Sequence, residues 1–158
     1  MDVRDLLERE AGPGELAEIR QLWKRHSIAE ENRDLEGLLS TLTDDCVYEL
    51  VGSRTRWEGH EGARRFYEEL LAAFPDIDFR LADIVVGPQG VCEEATVTAT
   101  HAGDWLGWPA TGEQISFTVV IFSPWDPARR KFRGERVHTY REDPGAEEAG
   151  SPMKGTFD

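Results

Sequence analysis

The second half of the chain constrains the fold most. Four segments, Asp78–Val86, Val91–His101, Ile115–Ser123 and Lys131–Arg141, alternate apolar and polar residues. That period of two is the mark of a strand with one face buried. Gly87-Pro88-Gln89-Gly90 makes a turn between the first two, and Ser123-Pro124-Trp125-Asp126-Pro127 with Arg129-Arg130-Lys131 connects the last two. Closely connected strands pair antiparallel, and their apolar face needs a covering layer.

The first half supplies that layer. From Glu15 to about Asn32 the apolar residues Leu16, Ile19, Leu22, Trp23, Ile28 and Ala29 follow helical spacing. Asp34 is placed to cap a second short helix with Leu35, Leu38, Leu39 and Leu42 on one face, ended by Thr43-Asp44-Asp45. Cys46–Val51 alternates as a strand, with Cys46, Tyr48 and Leu50 on one side and Val47, Glu49 and Val51 on the other. Thr55-Arg56-Trp57 returns antiparallel after the turn Gly52-Ser53-Arg54. Gly59-His60-Glu61-Gly62 opens a third helix over Ala63–Phe74, with Phe66, Tyr67, Leu70, Leu71 and Phe74 as its buried stripe, and Pro75-Asp76 stops it. Helices segregated from a run of strands predict an α+β fold, a strongly bent antiparallel sheet wrapped around N-terminal helices. Such a sheet encloses a cone with one open mouth. Residues 1–14 read as an N-terminal extension, 15–143 as one domain, and 144–158, rich in Gly, Pro and Glu, as a tail.

Charge and motif content exclude several classes. The formal net charge of −13 repels nucleic-acid backbones and anionic lipid. No apolar run approaches the roughly 20 residues a membrane span needs. Met1-Asp2-Val3-Arg4-Asp5 lacks the pattern of a secretion signal, so the expected compartment is the cytoplasm, with Cys46 and Cys92 reduced. The four histidines show no metal-ligand spacing, and the chain has no GxGxxG, Walker-type loop or GxSxG elbow. No metal and no cofactor are expected.

Between two of the strands runs Thr100-His101-Ala102-Gly103-Asp104-Trp105-Leu106-Gly107-Trp108-Pro109-Ala110-Thr111-Gly112. A long link holding two indoles and a histidine costs conformational entropy and points to a binding role. Trp105 and Trp108 are candidates to line or lid a pocket; a dimer contact is the alternative. Alternation puts His101 on the same face as Ala95, Val97 and Ala99, hence inward. It is a candidate general base, or a histidine that holds the loop by hydrogen bonds. On the last strand Glu135 shares a face with Arg133, Val137 and Thr139, while His138 and Tyr140 share the other. Periodicity leaves open which face looks in, so Glu135 and the pair His138 and Tyr140 are all candidate pocket groups. Tyr48 and Trp57, from the hairpin, could supply a hydroxyl donor and a stacking surface.

Several motifs, in order, resemble the SnoaL-like group of the nuclear-transport-factor-2-like superfamily. They are Asn32-Arg33-Asp34-Leu35-Glu36-Gly37-Leu38 with Leu42-Thr43-Asp44-Asp45-Cys46-Val47-Tyr48-Glu49, then Trp57-Glu58-Gly59-His60-Glu61-Gly62-Ala63 and Phe74-Pro75-Asp76. The Thr100–Gly112 loop and the charged final strand complete the set. The resemblance implies a cone-shaped α+β fold with one internal pocket, and often a homodimer. It also implies an aspartate and a histidine doing acid–base work on a carbonyl compound. His101 fits the histidine; no residue here matches the aspartate. The resulting expectation is a cofactor-free acid–base enzyme (cyclase, isomerase, dehydratase or hydrolase) acting on an apolar carbonyl or polyketide-like compound. In it His101 is the base or acid, Glu135 its carboxylate partner and Tyr48 the donor, with Trp57, Trp105 and Trp108 around the ligand. The alternative is a non-catalytic ligand-binding or dimerisation module on the same fold.

Overall fold

A computed structural model describes residues 2–53 and 55–140. The tail read over 144–158, and the end of the domain at 143, fall outside the described residues. Ten elements follow in order: α1 Val3–Glu8, α2 Glu15–Glu31, α3 Leu35–Leu39, β1 Leu42–Leu50, β2 Thr55–Glu58, α4 Gly59–Ala73, β3 Asp78–Gly87, β4 Gly90–Thr100, β5 Gln114–Asp126 and β6 Lys131–Tyr140. The strands form one bent six-stranded sheet in the order β2-β1-β6-β5-β4-β3, the α+β arrangement expected. All neighbours are antiparallel except β1 and β6, which run parallel. A parallel pair needs a long crossover, and everything from β2 to β5 supplies it.

The β1–β6 join depends on one glycine. At Gly134, φ is +103°, and a Cβ there would sit 2.0 Å from the Val47 carbonyl oxygen. Without a side chain the two strands close up, and Tyr48 falls opposite Glu135 in register. The second helix is shorter than its leucine spacing suggests. Leu42 begins β1 and pairs with Phe132 rather than closing a helical face, and Thr43-Asp44-Asp45 lies in the strand. Leu42 is fully buried in either arrangement, so its burial requirement could not distinguish them.

Helix α2 buries Ile19, Leu22, His26 and Ala29; Ile28, expected on that stripe, is 56% exposed. Helix α4 buries Ala63, Phe66 and Tyr67. One cluster of core residues joins α2, α3, α4 and β1, and a second joins the end of α4 to β4 and β5. At the start of α2, Glu15 accepts from the Gly12 N–H at 2.8 Å and the Trp125 indole at 2.7 Å, and pairs with Arg9. Burial opposes ionisation of Glu15, yet these donors together hold its carboxyl below the usual range. They tie the first helices to the far end of β5. No helix among the described residues is long and apolar enough to cross a membrane.

Candidate functional site

A cavity of about 360 Å³ opens between the two core clusters. Phe66, Leu70 and Phe74 line it from α4 and its end, and Phe79, Val97, Phe117, Val119 and Ile121 from β3, β4 and β5. The loop after β4 adds Trp105, Leu106 and Trp108. Against these apolar walls stand two carboxylates, Glu30 from α2 and Glu135 from β6, with Ser53 and Thr139 as hydroxyl groups. An apolar pocket with a few convergent polar groups is the usual form of a small-molecule site.

The Glu135 carboxylate is held from behind. Its Oε1 lies 2.9 Å from His26 Nε2, and both side chains are only 6% exposed. His26 Nδ1 lies 2.6 Å from the Thr41 hydroxyl oxygen, and that hydroxyl donates to the Leu38 carbonyl at 2.6 Å. With its hydrogen committed to Leu38, Thr41 must accept, so Nδ1 carries a proton. The second nitrogen therefore shares one further proton with Glu135. Burial opposes charge on His26, but the Glu135 hydrogen bond and charge outweigh it and raise the imidazole above its ordinary value. The pair is held by one proton shared across a buried hydrogen bond.

Glu30 is the contrasting partner. Burial, and next the negative charge of Glu135, pushes its carboxyl up to about 7, against smaller opposing effects of the His26 charge and then a Tyr67 hydrogen bond. Near neutral pH it therefore still holds a proton for much of the time. The Tyr67 hydroxyl lies 3.5 Å from that of Tyr48, and burial holds both phenols well above their ordinary values. A third carboxylate, Glu93 on the inward face of β4, accepts from the Trp23 indole; burial, then the charge of Glu135, pushes it to about 7 as well. Two carboxylates in one pocket, one hydrogen-bonded to a histidine and one pushed up to about 7, form an arrangement that can both take and give a proton.

The residues expected from sequence separate into groups. Glu135, Trp105 and Trp108 line the cavity. Val137 and Thr139 line it too, so alternation turns His138 and Tyr140 to the outer face of the sheet, where Tyr140 is 58% exposed. They are not pocket groups. Tyr48 is fully buried behind the floor, next to Glu135 in register. Trp57 is buried and donates to Glu69 at 3.1 Å; its ring stacks on Trp105 at 6.4 Å and so backs the rim rather than lining it. His101 points inward as alternation requires, but it is not paired with Glu135. Glu93 lies level with Ile121 and Val137, and His101 is eight residues further along, about 26 Å of strand. Its ring is packed on Phe74 and Trp108, with centroids at 5.2 and 3.9 Å. Its backbone clamps the loop, donating to Glu113 and accepting from Gly112, and its Nδ1 lies 3.4 Å from the Thr111 hydroxyl.

His26 and Glu30 were missed because α2 reads as an ordinary amphipathic helix. The signal was present: His26 stands seven residues after Ile19 and four after Leu22, on the buried stripe itself. Among the described residues no group of three or more His, Cys, Asp or Glu side chains is placed to hold a metal ion.

Residues 18–141 match the family model described as SnoaL-like polyketide cyclase. No curated protein matches the chain. Solved structures share the fold at low identity. AclR from Streptomyces galilaeus, described as a candidate hydroxylase, is 24% identical over 79% of this chain and 90% of its own, with a TM-score of 0.63. A candidate SnoaL-like polyketide cyclase from Jannaschia sp. CCS1 is 18% identical over 83% of this chain and 90% of its own, with a TM-score of 0.67. IdmH from Streptomyces antibioticus, a candidate polyketide cyclase, is 22% identical over 77% and 91%, with a TM-score of 0.62.

Proposed function

The chain belongs to the SnoaL-like polyketide cyclase family, and from that premise we propose a cofactor-independent acid–base enzyme acting on an apolar, ring-bearing carbonyl compound. The observation that carries the reading is the pair of carboxylates in one aromatic cavity, Glu135 backed by His26 and Glu30 pushed up to about 7. Glu135, oriented by His26, takes a proton from carbon next to the carbonyl group. Glu30, in its protonated form, donates a hydrogen bond to the oxygen on which negative charge develops. The low-dielectric surroundings strengthen that bond, and the proton returns from the Glu135–His26 pair to give the rearranged product. Cyclisation, isomerisation and dehydration all begin with this step.

Trp105 and Trp108 are the ligand's aromatic contacts in this reading, and Trp57 supports Trp105. His26 is a positioning residue, since it acts through Glu135. His101 and Tyr48 serve the site indirectly, the first by fixing the loop and the second by holding Tyr67 behind Glu30. Two further parts of the proposal rest on surface and composition. A homodimer is supported by the outer sheet face, where Val85 and Tyr140 are exposed, and a cytoplasmic location by the free thiols Cys46 and Cys92.

The test is deuterium uptake next to the carbonyl of polycyclic ketones in heavy water, followed by proton NMR. Wild type is expected to exchange at least one ketone that saturates the cavity, and Glu135→Gln to lose that exchange while remaining folded. Binding without exchange by wild type would overturn the catalytic reading and leave the non-catalytic ligand-binding module. That second reading is favoured by the confinement of His101 between Phe74 and Trp108.

A further inference from the structure

Three residues other than glycine hold a left-handed backbone among the described residues: Arg33, Leu106 and Arg130. Two have local reasons. Arg33 follows the end of α2 and its guanidinium donates to the Ile77 carbonyl at 2.7 Å. Arg130 lies in the tight turn between β5 and β6 and its side chain bonds Glu18 at 2.7 Å. Leu106 has neither. It sits with Gly107 at the centre of a two-residue turn, φ +47° and +82°, closed by reciprocal backbone bonds of 2.9 and 2.8 Å between Trp105 and Trp108. Left-handed φ at both central positions is the type I′ pattern, which favours Asn-Gly, Asp-Gly or Gly-Gly. Leucine gains no local hydrogen bond there and pays the Cβ crowding in full.

Nor does packing account for it. Trp105 and Trp108 pack against the core clusters, but Leu106 is a buried member of neither and remains 43% exposed. What it does reach is the cavity, which it lines together with Trp105 and Trp108. A strained, half-exposed apolar side chain at the rim of a pocket is an outlier whose purpose lies outside the unliganded fold.

We propose that Leu106 is a ligand-contact residue that closes over an apolar ligand in the cavity and slows its departure, retained at that turn despite its cost to stability. The inference rests on the cavity being the ligand site. It predicts opposite signs for two quantities that a structural residue would move together.

The probe is the neutral naphthyl ketone prodan, whose emission reports entry into an apolar site. In Leu106→Asn, which gives the turn a residue it favours, the melting temperature rises by about 2 °C. Prodan affinity falls about fivefold, through faster dissociation in stopped flow. Leu106→Met, which keeps the apolar reach, retains most of the affinity. A lower melting temperature in Leu106→Asn would show a structural leucine and overturn the proposal. Unchanged prodan affinity there would also overturn it while leaving the cavity reading intact. Thr139→Trp, at the exposed edge of the lining, serves as the control that fills the site. If wild type shows no saturable prodan binding that Thr139→Trp removes, the cavity reading fails and the Leu106 proposal with it.

Discussion

Replacing His26 by glutamine removes the imidazolium beneath Glu135 while keeping a polar side chain of similar reach. The two side chains are each 6% exposed, so solvent compensates the lost cation poorly. Glu135 then faces the cavity as a buried charge with Glu30 and Glu93 as its ionisable neighbours. Breaking a buried pair by removing one partner costs about 3–5 kcal/mol. The loss in His26→Gln should therefore be about 3 kcal/mol or more, measured by urea unfolding at pH 7. The double variant His26→Gln, Glu135→Gln should recover a coupling of about 2 kcal/mol at that pH. A loss below about 1 kcal/mol, or strict additivity in the double variant, would refute the charge-pair argument.

Three further outcomes follow from the same structure. Glu30 and Glu93 hold protons up to about pH 7 in the folded chain, against about 4.5 for an ordinary glutamate, so the folded state binds more protons than the unfolded one across that window. His26, raised above its ordinary value, adds stability below about pH 6.5 that is lost as pH rises through its folded value. Both act in one direction: urea midpoints should fall between pH 5 and 8, and Glu93→Gln should flatten that slope. Gly134→Ala should destabilise by more than about 3 kcal/mol, read as a lost or strongly lowered thermal transition, because the new methyl group meets Val47 backbone at a left-handed position. Arg129→Ala, which removes the exposed pair with Asp45, should leave the urea midpoint essentially unchanged, although that arginine's hydrogen bond lowers Asp45 to about 2.

Much of the fold was legible because alternation and helical spacing report burial directly. Val97 and Ala99, alternating with the exposed Thr96 and Thr98, located β4 and its inward face without any long-range information. Leu42 was misplaced for the same reason: a buried leucine four residues after Leu38 satisfies a helix, and its partner Phe132 is ninety residues away in the chain. The parallel pairing of β1 with β6 was illegible on similar grounds, since no local signal marks contact between strands so distant. For the site, the facing of Glu135 was undecided by a strand mixed on both faces, and the cavity walls decided it. His101 stood out by its loop, yet a strand's length separates it from Glu135. His26 lay on a stripe where a histidine replaces an aliphatic residue, and only the position of β6 reveals what that histidine serves.

The account turns on one shared proton, and nitrogen-15 NMR of the His26 ring measures it most directly. With Nδ1 tied to Thr41 and Nε2 to Glu135, both ring nitrogens should carry protons at pH 7, and the ring should titrate above an exposed imidazole. In Glu135→Gln the ring should become neutral at pH 7, with the single proton on Nδ1. A wild-type His26 that is neutral at pH 7, or one whose titration does not change in Glu135→Gln, would contradict the pairing on which the proposed chemistry depends.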